Sequence, residues 1–427
     1  MEPSPATRVT CCIAGCGPAG AVLGLLLARS GVDVLVLEKH GDFLRDFRGD
    51  TLHPSTLRLF DELGLADQLL RVPHQEAEVL GVTTDAGDFT LADFRRLPGR
   101  YRFLAFMPQW DFLDFVVGQA RQLPSFKLRM EAEALGVLEE SGRVTGLTWR
   151  DTAGAVHQVR ARLTVAADGR GSGLRRAAGL ARREFGVPID VLWFRLPRRP
   201  TDAPQSFGRL TAGRLLVLID RGAYWQIAYL IPKDAVDELH QAGLGRLRAS
   251  VAELVPFLED RVGELRSWDD VRTLRVQVDR LRRWFRPGLL CIGDAAHAMS
   301  PIGGVGINLA VHDAVAAANL LVGPLRDGTL ATRHLARVQL RRFLPTVVVQ
   351  WGQRTIQDRF LSPLLAGRVP AKGPLVLRAL RRYPVLQGVP ARLVGLGVLP
   401  EQVRTPAAAG GPTPAPACFP SRQATNR

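Results

Sequence analysis

Residues Leu289–Ala310 read LLCIGDAAHAMSPIGGVGINLA. The stretch starts as a short apolar run, Leu289-Leu290-Cys291-Ile292, the pattern of a buried parallel strand. The run ends in Gly293-Asp294. An acid at the C-terminal end of a parallel strand stands where open α/β sheets bind their ligands. The loop Pro301-Ile302-Gly303-Gly304-Val305-Gly306 follows, and it has so little side-chain bulk that its backbone can lie against a flat ligand. A helix is expected from near Val305 through Asn308 and Asp313 to Leu321. Its free N–H groups and positive dipole end would face a ligand that takes on negative charge. An ordinary strand–loop–helix joint would share these features, so the companions of this stretch decide its meaning.

The first companion lies at the N-terminus. Val9–Ala14 is an apolar strand, and Gly15-Cys16-Gly17-Pro18-Ala19-Gly20 is a GxGxxG turn. A helix from Pro18 to Ser30 is ended by Gly31, and a second strand, Val32–Leu37, runs into Glu38. This complete strand–turn–helix–strand–acid context identifies a dinucleotide-binding unit where a bare GxGxxG would not. Gly15 makes the tight turn, Gly17 admits a pyrophosphate, Gly20 lets helix and strand approach, and Glu38 is placed for ribose hydroxyls. The second companion is Leu163-Thr-Val-Ala-Ala-Asp168-Gly169, an apolar strand that again ends in Asp-Gly before a short helix at Ser172–Ala178.

Between these units the periodicity changes. Glu78–Phe94 and about Glu184–Asp279 alternate at period two, which predicts a separate sheet with one face packed and one open, and a substrate could lie on the open face. Trp225 and Tyr229 share a face there and are read as packing. Asp111–Leu123 carries Phe112, Phe115, Val116 and Ala120 at helical spacing, a core face. His53 and His297 are read as structural.

Composition bounds the rest. The chain has 427 residues, 46% hydrophobic, and a formal charge of +15. That length supports two or three domains. No apolar run reaches the length of a membrane span, and Pro3, Pro5 and Arg8 precede the first apolar run, unlike a signal peptide. The five cysteines show no zinc spacing, no metal site is expected, and a reducing cytoplasm fits their placement in strands. Residues 333–404 hold 13 Lys/Arg against Asp358 and Glu401, a balance of 13 − 2 = +11. No nucleic-acid-binding motif accompanies the arginines, so nucleic acid is not an expected partner. The basic segment carries apolar stretches, and peripheral contact with an anionic membrane is one reading of it; a solvated face that packs on the protein is the other.

Taken together, the three motifs resemble the flavoprotein monooxygenases of the para-hydroxybenzoate hydroxylase type, the group A enzymes. Motif order and spacing carry the likeness, over roughly residues 8–330. The resemblance implies an α/β fold: a doubly wound, Rossmann-like FAD-binding domain, an inserted β-sheet substrate domain and C-terminal helices. The corresponding boundaries are 1–76, 101–183 and 284–330 for FAD, 77–100 and 184–283 for substrate, 331–404 for the helices, and a disordered tail from 405 to 427. It implies FAD as cofactor, NAD(P)H as co-substrate, O₂ as oxidant and hydroxylation or epoxidation of an aromatic, polyketide-like or lipophilic small molecule. Gly15, Gly17 and Gly20 would face the pyrophosphate with Pro18 and Ala19 beside them, and Glu38 and Lys39 the adenosine. Arg48 would stand near the pyrophosphate and the nicotinamide cofactor, and Gln109 near the ribitol and ring. Asp168 belongs to the motif that serves both FAD and NAD(P)H. Gly293 and Asp294 would bind ribitol, and Pro301, Gly303, Gly304 and Gly306 would border the flavin ring, with Asn308 at its pyrimidine edge. No catalytic acid or base can be named. The chain holds no second GxGxxG unit, since Gly395-Leu396-Gly397 is followed by Pro400, and the family likewise lacks a separate NAD(P)H domain. A related halogenase is disfavoured because Ile227-Ala-Tyr-Leu-Ile-Pro232 lacks the tryptophans of that class. A flavin-dependent reductase of isoprenoid chains, without oxygen insertion, stays open as the alternative.

Overall fold

The computed structural model describes residues 7–44, 51–202, 206–211, 213–368 and 375–408. Its main sheet runs in the order Phe285–Arg286, Leu289–Cys291, Val156–Ala166, Thr7–Ala14, Val34–Leu37, Phe126–Arg129. All neighbours after the first pair are parallel. Cys11, Cys12, Ile13 and Ala14 have no exposed surface, as expected of a strand covered on both faces. The helix Pro18–Arg29 returns the chain from the first strand to the second, and it packs with the helix Val305–Arg326 over one face of the sheet. Register aligns the strand ends: Ala14 lies beside both Leu37 and Ala166, and Ala166 beside Cys291. Glu38, Asp168 and Asp294, each within three residues of such an end, therefore emerge along one edge.

Val156–Ala166 changes character along its length. Its outer half alternates exposed and buried side chains and pairs antiparallel with Arg143–Arg150, while Leu163–Ala166 is wholly buried in the parallel sheet. The expected meander and the central strand are thus one continuous chain segment.

A second, seven-stranded sheet runs Arg272–Leu274, Ile189–Pro197, Tyr224–Pro232, Arg214–Asp220, Phe207–Thr211, Val79–Thr84, Gly87–Asp93. Strict alternation splits its residues. Leu192, Phe194, Leu216, Trp225, Ile227 and Tyr229 pack beneath Leu244–Leu254. Trp225 and Tyr229 are core residues, with the Trp225 indole N–H donating to Asp202 at 2.9 Å. Val191, Trp193, Val217, Ala228 and Leu230 point to the opposite side.

The C-terminal segment covers that opposite side. A helix, Thr332–Ile356, runs through a π-helical turn, Gln357–Leu361, into Ser362–Leu365. Leu375–Arg382 sets Leu377 against Val82 and Phe89, and Gly388–Gly395 sets Ala391 against Phe94 and Leu97. One expectation needs correction here. The tail was expected to be disordered from 405, but Pro406 accepts a hydrogen bond from the Ser30 hydroxyl at 2.9 Å and the Ala408 N–H donates to Arg29 O at 2.9 Å. Residues 409–427 lie outside the described residues. The segment Ile302–Arg326 is long and apolar enough to cross a membrane by length and composition, but 72% of its apolar 18-residue window is buried inside the protein.

Candidate active site

One cavity of about 1460 Å³ lies between the aligned strand ends, the face of the second sheet turned away from Leu244–Leu254 and the C-terminal segment over it. A pocket for one small ligand usually measures roughly 300–1,000 Å³, so this one has room for a cofactor and a substrate together. Its two halves differ in chemistry. The half at the strand ends is lined by Glu38, Lys39, His40, Glu133, Asp168, Arg170, Arg176 and Asp294. The half at the sheet is lined by aliphatic and aromatic side chains, among them Val191, Leu210, Val217, Leu230, Phe360 and Leu377. Among the described residues no titratable side chain lines that second half, and no general acid or base is to be found there.

The polar half is built by backbone geometry. Gly15 takes φ +95°, and a Cβ there would stand 2.4 Å from Ala167 O, so only glycine permits the turn. Gly17 lines the cavity, and the position of its missing Cβ is open space. Glu38 Oε2 accepts the Cys16 N–H at 2.9 Å and Oε1 accepts the His40 N–H at 3.2 Å. The carboxylate thus braces the turn it was expected only to flank. Asp168 Oδ2 accepts the Leu174 N–H at 3.3 Å, while Oδ1 is buried with no partner among the described residues. Arg170 Nη2 donates to Asp294 Oδ2 at 3.3 Å, which joins the second and third motifs. An orphaned carboxylate oxygen and an empty glycine cradle, both on the cavity wall, fit a ligand that brings hydroxyl donors and phosphate, as FAD does.

Pro18, Ala19, Gln109, Pro301, Gly303, Gly304 and Gly306 also line the cavity. Gly304 caps the helix Val305–Arg326 at φ +61°, and a Cβ there would press on Thr51 Oγ1 at 2.8 Å. Three of the expected residues stand back from the cavity wall. Gly20 stands behind the wall; a Cβ on it would meet Gly15 O at 1.9 Å, so its role is close packing. Gly293 is likewise set back against Ala19 and Ala310, its N–H donating to Asp313 Oδ2 at 3.0 Å. Asn308 is also off the wall: Oδ1 accepts from His53 N and Thr56 Oγ1 at 2.8 and 2.7 Å, and Nδ2 donates to Thr51 O and Gly304 O at 2.9 and 3.1 Å. All four of its hydrogen-bonding positions serve the protein. Arg48 lies outside the described residues.

Two sets of residues were not anticipated. Asp313 is fully buried and accepts from Gly293 N, His297 Nε2 and Arg342 Nε, the last two at 2.6 and 3.0 Å. His297 is thereby a structural residue, as expected. The other set is a row of glutamines on the Thr332–Ile356 helix and the turn after it. Gln339 accepts from Trp284 N and donates to Arg282 O; Gln350 donates to Asp279 O and Ala298 O; Gln353 and Gln357 hold Ser300 and Ile302. Glutamines at 350, 353 and 357 recur at helical spacing, a signal that reads as a solvated face when the partners are unknown.

A family model described as an FAD binding domain matches residues 8–351. The chain is 33% identical over 394 residues to 6-methylpretetramide 4-monooxygenase of Streptomyces rimosus, covering 92% of this chain and 93% of that protein. It is 25% identical over 403 residues to aklavinone 12-hydroxylase of Streptomyces peucetius, covering 84% and 76%. Among solved structures, PqsL of P. aeruginosa in complex with 2-aminobenzoylacetate superposes with a TM-score of 0.72 at 22% identity, over 85% of this chain and 98% of that one.

Proposed function

We propose that this chain, which belongs to the FAD-binding-domain family of flavoprotein monooxygenases, hydroxylates a neutral, multi-ring aromatic compound of the polyketide type. It is an FAD-dependent oxidoreductase that takes electrons from NAD(P)H and one oxygen atom from O₂. The bound flavin supplies the redox chemistry. Gly15, Gly17, Pro18 and Ala19 would hold its pyrophosphate, Glu38 and Lys39 its adenosine, and Asp168 and Asp294 its hydroxyls. Gln109, Pro301, Gly303, Gly304 and Gly306 would border the ring. The sheet half of the cavity positions the substrate and excludes water.

The observation that carries the substrate class is the uncharged lining of that half. An anionic substrate without a countercharge there would lose its hydration uncompensated. The relative named for a pretetramide substrate points the same way. The test is turnover of a panel of polycyclic aromatic polyketides and monocyclic benzoates with NADH and NADPH. The expected result is a product with one added oxygen atom from the polycyclic set. Turnover confined to benzoates would overturn the substrate class, and saturated isoprenoid products would favour the reductase alternative. A charge placed in the wall gives a sharper check: Val217→Asp should raise KM for the polycyclic substrate by roughly 10- to 100-fold while FAD content holds. An unchanged KM would mean that the substrate lies elsewhere.

The cofactor itself is checked by release. Heat-extracted flavin should chromatograph as FAD, because Glu38 and the glycine turn select an adenosine diphosphate half. FMN in the extract, or no flavin after reconstitution, contradicts the site.

A second reading concerns location. Arg378, Arg381 and Arg382 flank Val376 and Val389, which are 51% and 57% exposed, and a basic surface with apolar contacts suits an anionic bilayer. Against it, Val376 and Val389 also line the cavity, which makes them substrate wall. A protein placed in the cytoplasm and working on free substrate needs no such contact. Sedimentation with anionic liposomes separates the two: capture at low salt and release at high salt supports the membrane, and protein left in the supernatant at low salt removes it.

A further inference from the structure

Ser300–Gly304 forms the part of the cavity wall that joins its polar and apolar halves. Its backbone is held from outside by Gln353, whose side chain is 5% exposed. Gln353 Oε1 accepts the Ser300 N–H at 3.2 Å, and Nε2 donates to Ser300 O at 2.9 Å and Ile302 O at 2.8 Å. One amide thus replaces the backbone partners that a strand neighbour would supply. One turn on, Gln357 Nε2 donates to Ser300 Oγ at 2.9 Å. The same chain segment carries Ile356, Phe360 and Leu361 onto the apolar wall through the π-helical turn Gln357–Leu361. Such π segments recur at functional sites.

We propose that Gln353 is a positioning residue for the flavin ring: through Ser300 and Ile302 it fixes the loop that borders the ring, and through its own helix it ties that loop to the substrate wall. This rests on the flavin reading above. Loop and substrate wall then move as one piece, and their spacing sets how oxygen transfer competes with loss of oxygen as H₂O₂. A small displacement of reacting groups is enough to change that competition.

Gln339 is the control. It lies on the same helix and makes the same kind of backbone contacts, but to Arg282 and Trp284, which do not line the cavity. The experiment compares the FAD-loaded wild type with Gln353→Leu, Gln353→Glu, Gln357→Leu and Gln339→Leu. It reads the flavin absorbance spectrum, the flavin reduction potential, and the share of NAD(P)H electrons recovered as H₂O₂. Gln353→Leu should shift the spectrum and potential and raise the H₂O₂ share by roughly tenfold, the scale of one or two lost hydrogen bonds. Gln353→Glu keeps an acceptor for Ser300 N but turns a carboxylate oxygen towards Ser300 O and Ile302 O, so it should disturb the flavin readouts at least as much as Gln353→Leu. Gln357→Leu removes only the Ser300 hydroxyl contact and carries the test if Gln353→Leu does not fold. Gln339→Leu should lose thermal stability with spectrum, potential and coupling unchanged. If the Gln353 and Gln357 variants match Gln339→Leu in all three flavin readouts, Gln353 is merely structural and the proposal falls. A wild type that retains no FAD would instead overturn the flavin reading.

Discussion

Asp313→Ala should cost the folded protein about 3–5 kcal/mol, the usual penalty for removing one partner of a buried ion pair. Arg342 is 1% exposed, and its Nε donates to Asp313 Oδ1 at 3.0 Å. Without Asp313 the guanidinium keeps, among the described residues, only the ion pair with Glu401, 3.6 Å away, and His297 Nε2 and the Gly293 N–H lose their acceptor. The loss should also have a distinctive pH dependence. Burial alone would raise the Asp313 carboxyl, but His297 and Arg342 outweigh it and hold the group below its ordinary range. A depressed carboxyl stabilises above its unfolded pKa, near 4, and that contribution is lost as pH falls through the lower folded value. The buried histidines act at higher pH. Burial lowers His53 to about 4, and burial with the nearby Arg342 lowers His312 to about 3. Below pH of about 6.5 the unfolded histidines bind protons that the folded ones refuse, so stability falls with pH from there downward. Wild type should therefore lose stability in two stages, and Asp313→Ala should keep the histidine stage and fall less steeply than wild type below pH of about 4, where Asp93 and Asp202, also held below the ordinary range, still contribute. Urea midpoints at pH 7, 5 and 3.5 measure this. A variant within 1 kcal/mol of wild type at pH 7, or one with the same slope below pH 4, contradicts the assignment.

What the sequence made legible is local. A strand, a glycine turn, a helix and an acid lie within thirty residues of one another, so Gly15–Glu38 can be read without knowing the fold. The same holds for Asp168 and Asp294, each at the end of an apolar run. The second sheet was legible through its period-two alternation, although which face was left to the cavity depended on the placement of Leu244–Leu254. Functions that depend on distant partners were not legible. Asn308 looked like a ligand contact because it opens a helix beside the loop, but its acceptors and donors come from Thr51, His53 and Thr56, some 250 residues earlier in the chain. The Thr332–Ile356 helix misleads further, because its pattern is inverted beyond Leu335 and Val338, which still enter the core. Leu340, Leu344 and Trp351 are 78%, 54% and 67% exposed, while Gln350, Gln353 and Arg342 are buried. Hydrophobic periodicity assigns the inner face to the apolar residues, and here the inner face must satisfy loop backbone, so amides occupy it. The basic C-terminal third was only half legible for a related reason: its arginines dominate the composition, while aliphatic residues such as Leu377 and Leu380 line the cavity.

Asp294→Ala should weaken FAD binding by roughly 10- to 150-fold, the equivalent of a charge-assisted hydrogen bond worth about 1.5–3 kcal/mol. Asp294 follows the strand Leu289–Cys291, lines the cavity and leaves 31% of its side chain open to it. Its one ion-pair partner among the described residues is Arg170, at 3.3 Å through Oδ2. That contact is long and partly exposed, so it contributes little to stability, and its loss should not unfold the protein. The carboxylate is held there by position: Gly293, at φ +58°, is pinned by Asp313, and a Cβ on it would press on Ala19 Cβ at 3.0 Å. Removing the side chain therefore deletes acceptors from the cavity wall and leaves the wall standing. Arg333→Ala is the matched comparison, because Arg333 is exposed at the start of the Thr332–Ile356 helix and away from the cavity. Flavin fluorescence titration of the two apoproteins measures both dissociation constants. Arg333→Ala should bind FAD as wild type does, and equal constants for the two variants would remove Asp294 from the cofactor site.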